Sequence, residues 1–215
     1  MAATRRGPVA PPLPFTSVDA AADAARTCTA CDLYKTGTQT VFGAGDPDAR
    51  LLLVGEQPGD QEDLEGEPFV GPAGQVLARA MTAAGLERRA VYLTNAVKHF
   101  KWEPRGKRRI HQTPRWSEIR ACKPWLDVER QLVTPIVTVC LGAVAGKSVF
   151  GSTFRLTVSR GQVLADDNGR AVVATFHPSA VLRAQTPEER ERIFALLVDD
   201  LRLAMSHARG KRRSK

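Results

Sequence analysis

Aromatic side chains make up only 6% of this 215-residue chain, which argues against a protein that binds nucleic acid chiefly by stacking bases on aromatic platforms. No run approaches the roughly 20 consecutive apolar residues a membrane-spanning helix needs. The N-terminus carries no apolar stretch of the secretory kind, so a cytoplasmic protein with no membrane partner is expected. No internal repeat is present. Acidic residues are also short, 23 against 31 Lys and Arg, leaving a formal charge of +8 and a pI near 9.7. Such an excess favours a polyanionic partner, most commonly nucleic acid. Much of it lies in "TRRGP" near the start and "ARGKRRSK" at the end. What remains includes Lys98, Lys101, Arg105, Lys107, Arg108 and Arg109, an internal cluster that needs its own explanation.

Apolar content of 43% and charged content of 25% are ordinary for a globular chain. One domain is expected over 15–206, between a Pro-rich, disordered tail (1–14) and a basic tail (207–215). A short helix is predicted over Val18–Thr27. Buried strands are predicted at Leu51–Val54, Val91–Leu93, Ile136–Cys140 and Val172–Thr175, with helices at Ala73–Ala84, Trp116–Leu132, Ala143–Phe150 and Glu188–Met205. Alternation of this kind implies an α/β fold, three layers with a mostly parallel central sheet. Ligands in such folds sit outside the carboxyl ends of the strands. Here those ends carry Glu56, Gln57, Asp60, Asn95, His99 and His177.

Four cysteines need an account other than disulfides in such a protein. Cys28 and Cys31 form a C-x2-C pair, whereas Cys122 and Cys140 stand singly. A structural zinc site normally uses two tight knuckles. One pair plus two scattered thiols suits a structural [4Fe–4S] cluster better, with zinc the alternative.

"GEQPGDQEDLEGEPFVGPAG" (55–74) resembles the first motif of the uracil-DNA glycosylase superfamily, and "HPS" at His177–Ser179 its second. The cysteine pattern is similar to that of the iron–sulfur family 4 branch. "TNAVKHF" followed by "GKRRIHQTP" (106–114) resembles one subgroup, the UdgX proteins, which carry Gln after the motif 1 Glu and an inserted basic loop with a histidine. The resemblance implies a uracil-DNA glycosylase-like fold and excision of a flipped uracil from DNA, with covalent capture of the sugar. Each residue type fits a step of that chemistry. The Asn95 amide can accept from uracil N3–H and donate to O4, a pattern cytosine reverses. Phe69 can stack on the base, with Gln57 and Asp60 beside it. His177 can donate to O2 as charge develops there. A neutral His111 can attack C1′ before water, and Glu56 can orient its ring and take the proton. Lys107, Arg108, Arg109 and Ser179 are candidates for phosphate contacts, and the three cations are also expected to disfavour protonation of His111.

Two other readings fit the residues. In one, the glycosylase turns over normally and His111 only grips DNA. In the other, a cluster-stabilised, non-catalytic module binds single strands, leaving the strand-end Glu, Asn and His without a task. A flexible basic loop over an open site favours single-stranded substrate, and a monomer is expected.

Overall fold

The computed structural model describes residues 15–210, so the disordered tail expected at 1–14 lies outside it. In chain order the elements are α1 (Val18–Ala25), β1 (Ala44–Gly45), β2 (Leu51–Gly55), α2 (Asp60–Glu65), α3 (Pro72–Ala84), β3 (Val91–Asn95), β4 (Trp102–Arg105), β5 (Arg108–His111) and α4 (Trp116–Val133). There follow β6 (Val137–Leu141), α5 (Ala143–Phe150), α6 (Leu156–Ser159), β7 (Val163–Ala165), β8 (Ala171–Thr175), α7 (Ser179–Arg183) and α8 (Pro187–Arg209). The six-stranded sheet runs β1-β3-β2-β6-β8-β7. Its four inner strands are parallel, and the short edge strands β1 and β7 pair antiparallel.

The apolar runs dictate this. Every residue of β2, β3, β6 and β8 is buried, as strands covered on both faces must be. Alternate residues serve opposite layers: Leu52 and Val54 pack with Trp125, Leu126 and Ala145 from α4 and α5. Leu51 and Leu53 pack with Leu77, Met81, Leu197 and Leu201 from α3 and α8. Helix starts are set locally, with Ser17 Oγ accepting from Ala20 N–H at 3.1 Å and Thr186 Oγ1 from Glu189 N–H at 3.1 Å. The three-layer α/β fold expected from the sequence is therefore present. No helix among the described residues is long and apolar enough to cross a membrane.

The departures are short elements and ends. Helix α8 runs on to Arg209, where a basic tail was expected from 207, because Ala204 and Ala208 extend its buried stripe. "GKRRIH", expected as a loop, forms a separate antiparallel hairpin. Strands β4 and β5 pair Trp102 with His111 and Pro104 with Arg109 around a two-residue turn whose Gly106 has φ +60°.

Half of the internal cationic cluster is not free to meet a partner. Lys98 is buried with Glu129, Nζ to Oε2 2.5 Å, the side chains being 1% and 0% exposed. Thr94, Tyr92 and the Gly43 amide also donate to that carboxylate. Lys101 pairs with Glu118, and Arg109 with Asp60 and Asp63. Only Arg105, Lys107 and Arg108, all exposed, remain at the hairpin tip. Lys98→Met is expected to lower unfolding free energy by about 3–5 kcal/mol, since it strands the Glu129 carboxylate in the core; urea denaturation measures this.

Candidate active site

The carboxyl ends of β2, β3 and β8 open into a cavity of about 910 Å³. The turn after β2 supplies Glu56 and Gln57, the start of α2 supplies Asp60, β3 supplies Asn95, and the turn after β8 supplies His177. His111 reaches the same cavity from the hairpin, and Phe69 and Arg183 also line it. The segment just after β6 contributes no polar side chain, only Gly142 and Ala143. His99, expected at this edge, instead turns inward, its Nε2 3.2 Å from Thr40 Oγ1.

The floor depends on a missing side chain. A Cβ at Gly55 would stand 2.3 Å from Asn95 Oδ1 and 2.6 Å from Phe69 Cζ, so only glycine lets the amide and the ring approach the end of β2. Asn95 is 3% exposed, and its backbone carbonyl accepts from Lys98 Nζ at 2.8 Å, which ties the end of β3 to the buried ion pair.

His177 is oriented by its own turn. The Ser179 amide donates to Nδ1 at 3.2 Å, so Nδ1 is an acceptor and the ring proton sits on Nε2. Ser179 Oγ lies 2.7 Å from the same nitrogen and accepts from Arg183 Nη1 at 2.8 Å, which directs the hydroxyl proton toward the ring. Burial, then the charges of Arg183 and His111, push the His177 pKa down to about 4. It is a neutral donor at physiological pH. Ser179, a candidate phosphate contact, is thus occupied with His177 and Arg183.

Glu56 Oε1 lies 3.5 Å from His111 Nε2, and this buried oxygen has no hydrogen-bond partner. Burial pushes its pKa up to about 6, against the pull of Arg183. The His111 pKa is lowered by burial first and Arg183 second. The direction matches the expectation, but the cause is not Lys107, Arg108 and Arg109. Arg183 faces all three groups and was overlooked; its signal was a cation one turn after Ser179 in "HPSAVLR".

Two further candidates hold the hairpin, Gln57 while it also lines the cavity. Gln57 donates to the carbonyls of Lys101 and Gln112 and accepts from the Lys101 amide at 3.2 Å, bracing both ends of the hairpin. Arg109, expected on phosphate, bonds Asp60 Oδ1 (2.5 Å) and Asp63 Oδ2 (2.6 Å) and lies over the Phe100 and Trp102 rings. Asp60 is correspondingly occupied with Arg109 as it lines the cavity.

The cysteines divide. Cys122 feels the charges of Cys31 and Cys28, the Lys98 amide donates to its sulfur at 3.2 Å, and Trp125 Nε1 donates to Cys28 at 3.2 Å. Cys140 sits in the middle of the sheet, paired with Val54 and Ala174, and the charge that acts on it is Arg130. Among the described residues no three ligating side chains form a metal site. The four-thiol set expected from spacing is therefore not assembled as a metal site; Cys28 and Cys31 act electrostatically on Cys122, and Cys140 takes no part in that contact.

A cavity at the carboxyl edge of a parallel sheet, with an amide, a neutral imidazole donor and a shielded carboxylate, defines an α/β enzyme site. The family model for the uracil DNA glycosylase superfamily matches residues 42–202, and the chain belongs to that superfamily. It is 37% identical over 182 residues to a type-4 uracil-DNA glycosylase of Thermotoga maritima, covering 84% of this chain and 89% of that one. To the type-4 uracil-DNA glycosylase of Archaeoglobus fulgidus it is 40% identical over 177 residues, 78% and 85% of the two chains. To a type-5 uracil-DNA glycosylase of Thermus thermophilus it is 32% identical over 184 residues, 76% and 80%.

The raised Glu56 pKa carries a stability signature. The folded protein holds this proton more tightly than the unfolded chain, so stability falls as pH rises from about 4.5 to about 6 and stays lower above. Glu56→Gln is expected to exceed the parent in stability by about 1–2 kcal/mol near pH 8 and to match it near pH 4. Thermal melts at the two pH values check this.

Proposed function

We propose that the protein excises uracil from DNA and then captures the sugar on His111. The observation that carries this reading is the Glu56–His111 pair at 3.5 Å on the rim of a cavity floored by Asn95, Phe69 and His177. A flipped uracil stacks on Phe69 with its N3–H and O4 on the Asn95 amide, and cytosine leaves that amide mispaired at a cost of about 1–3 kcal/mol per buried group. The C1′–N1 bond breaks with its electron pair passing to uracil, and His177 Nε2–H bonds the O2 where that charge collects. The ring nitrogen of His111 remote from Glu56, Nδ1 in this conformation, gives its lone pair to the cationic C1′. The proton on Nε2 passes to Glu56, leaving a neutral N-linked imidazole that is a poor leaving group. The exposed Arg105, Lys107 and Arg108 meet phosphates, and a site open on this side suits a single strand.

Replacing Asn95 or His177 with Ala is expected to slow single-turnover uracil release by roughly 10²–10³-fold. His111→Ser is expected to abolish the adduct on a denaturing gel while uracil is still released, because water then reaches C1′. In the parent, capture is expected to fall as pH drops through about 6, where Glu56 takes a proton. An adduct that persists in His111→Ser, or that maps to another residue, overturns the assignment. Uracil release with no adduct in the parent supports the conventional glycosylase instead.

We also propose that Cys28, Cys31 and Cys122 hold an iron–sulfur centre of structural role that ties the N-terminal segment to α4. The support is the electrostatic contact of Cys28 and Cys31 with Cys122 and the N–H donors aimed at two of the sulfurs. Iron and sulfide analysis is expected to show loss of metal in Cys122→Ala and full retention in Cys140→Ala. Zinc without iron in the parent overturns it.

A further inference from the structure

Phe69 occupies a conformation that an L-residue resists. Its φ is +64°, and apart from Thr134 no other described non-glycine residue has a positive φ. Such a state persists where the surroundings over-determine it. Two features do so here. A Cβ at Gly74 would fall 1.7 Å from the Phe69 carbonyl oxygen, so the first turn of α3 closes directly onto Phe69. The other is Glu62, 7% exposed in α2. Its Oε1 accepts from the Gly71 amide at 2.9 Å, and its Oε2 accepts from the Gly59 amide at 3.0 Å. Among the described residues no cation pairs with it, so both oxygens serve backbone amides.

Those two amides belong to different walls of the cavity. Gly59 ends the turn that carries Glu56 and Gln57, and Gly71 ends the loop that carries Phe69. We propose that Glu62 is a positioning residue for base recognition: its carboxylate staples the Phe69 loop to the turn after β2 and so presets the ring as a platform over Gly55. The inference rests on the reading of this cavity as a uracil pocket.

A double-mutant cycle tests it, read as single-turnover uracil release and as inhibition by free uracil. Glu62→Gln keeps the shape but turns an NH2 toward one of the two amides. It is expected to slow release about 10–100-fold, the loss carried by one hydrogen bond to a charged group, and to weaken inhibition by uracil. In the Phe69→Ala background the same change is expected to add less than about threefold, because the platform it supports is gone. A merely structural role would lower the melting temperature equally in both backgrounds and add its full kinetic loss to each. That additivity, or parent-like release in Glu62→Gln, overturns the proposal while leaving the uracil pocket standing. Unchanged release and inhibition in Phe69→Ala overturns the pocket reading, and Glu62's role with it. Should Glu62→Gln not fold, Glu62→Asp, which keeps the charge but reaches one amide, enters the same cycle with the same outcomes.

Discussion

Arg109 is drawn off the surface by two carboxylates of α2, and the position of the hairpin follows from that attraction. Asp63 is fully buried, so the pair is formed in surroundings where an unpaired carboxylate would be costly. Along a strand, side chains two apart share a face. Fixing Arg109 therefore fixes His111 on the same side of β5, toward Glu56. Gln57 adds a second attachment at the base of the hairpin, and the Trp102 indole a third through the Thr36 carbonyl at 2.9 Å. A ribbon with no core of its own thus becomes a wall of the cavity.

Helix α2 serves both walls. Asp60 and Asp63 hold the hairpin, and Glu62, between them in sequence, turns to the other side and holds the loop of Phe69. One short acidic helix, "DQEDLE", braces both the Phe69 loop and the hairpin that carries His111. Burial then adjusts the chemistry within that frame, raising Glu56 and lowering His111 and His177. At neutral pH a carboxylate and two uncharged imidazoles coexist in one cavity, which is the combination that the proposed capture and leaving-group support require.

The sheet was legible in the sequence because its strands are continuous apolar runs bounded by Gly, Pro or Asn. The cavity was legible because those runs end in Glu56, Asn95 and His177. The hairpin was not, since charge masks its alternation and its partners lie more than forty residues upstream in α2. Lys98, Lys101 and Arg109 read as surface cations because their partners lie on other elements, Glu129 and Glu118 on α4 and Asp60 and Asp63 on α2. Nothing local to "KHFKW" or "KRRIH" announces Glu129, Glu118 or Asp63. Cys140 misled in the opposite direction: spacing made it a ligand, while its place within an apolar strand makes it a core side chain. Arg183 and Glu62 act through contacts that form only once the turns are folded.

The neutralised cations change how the protein meets a polyelectrolyte. Each phosphate paired by a free cation releases condensed counterions, and for single strands the logarithm of affinity falls with the logarithm of salt at a slope of about −0.7 per contact. Six free cations in this span would give a slope near −4, whereas the three at the hairpin tip give about −2. In the proposed contact with phosphates, the same span would give a grip that fades about half as steeply with ionic strength as its formal charge suggests, its other cations being held in internal ion pairs.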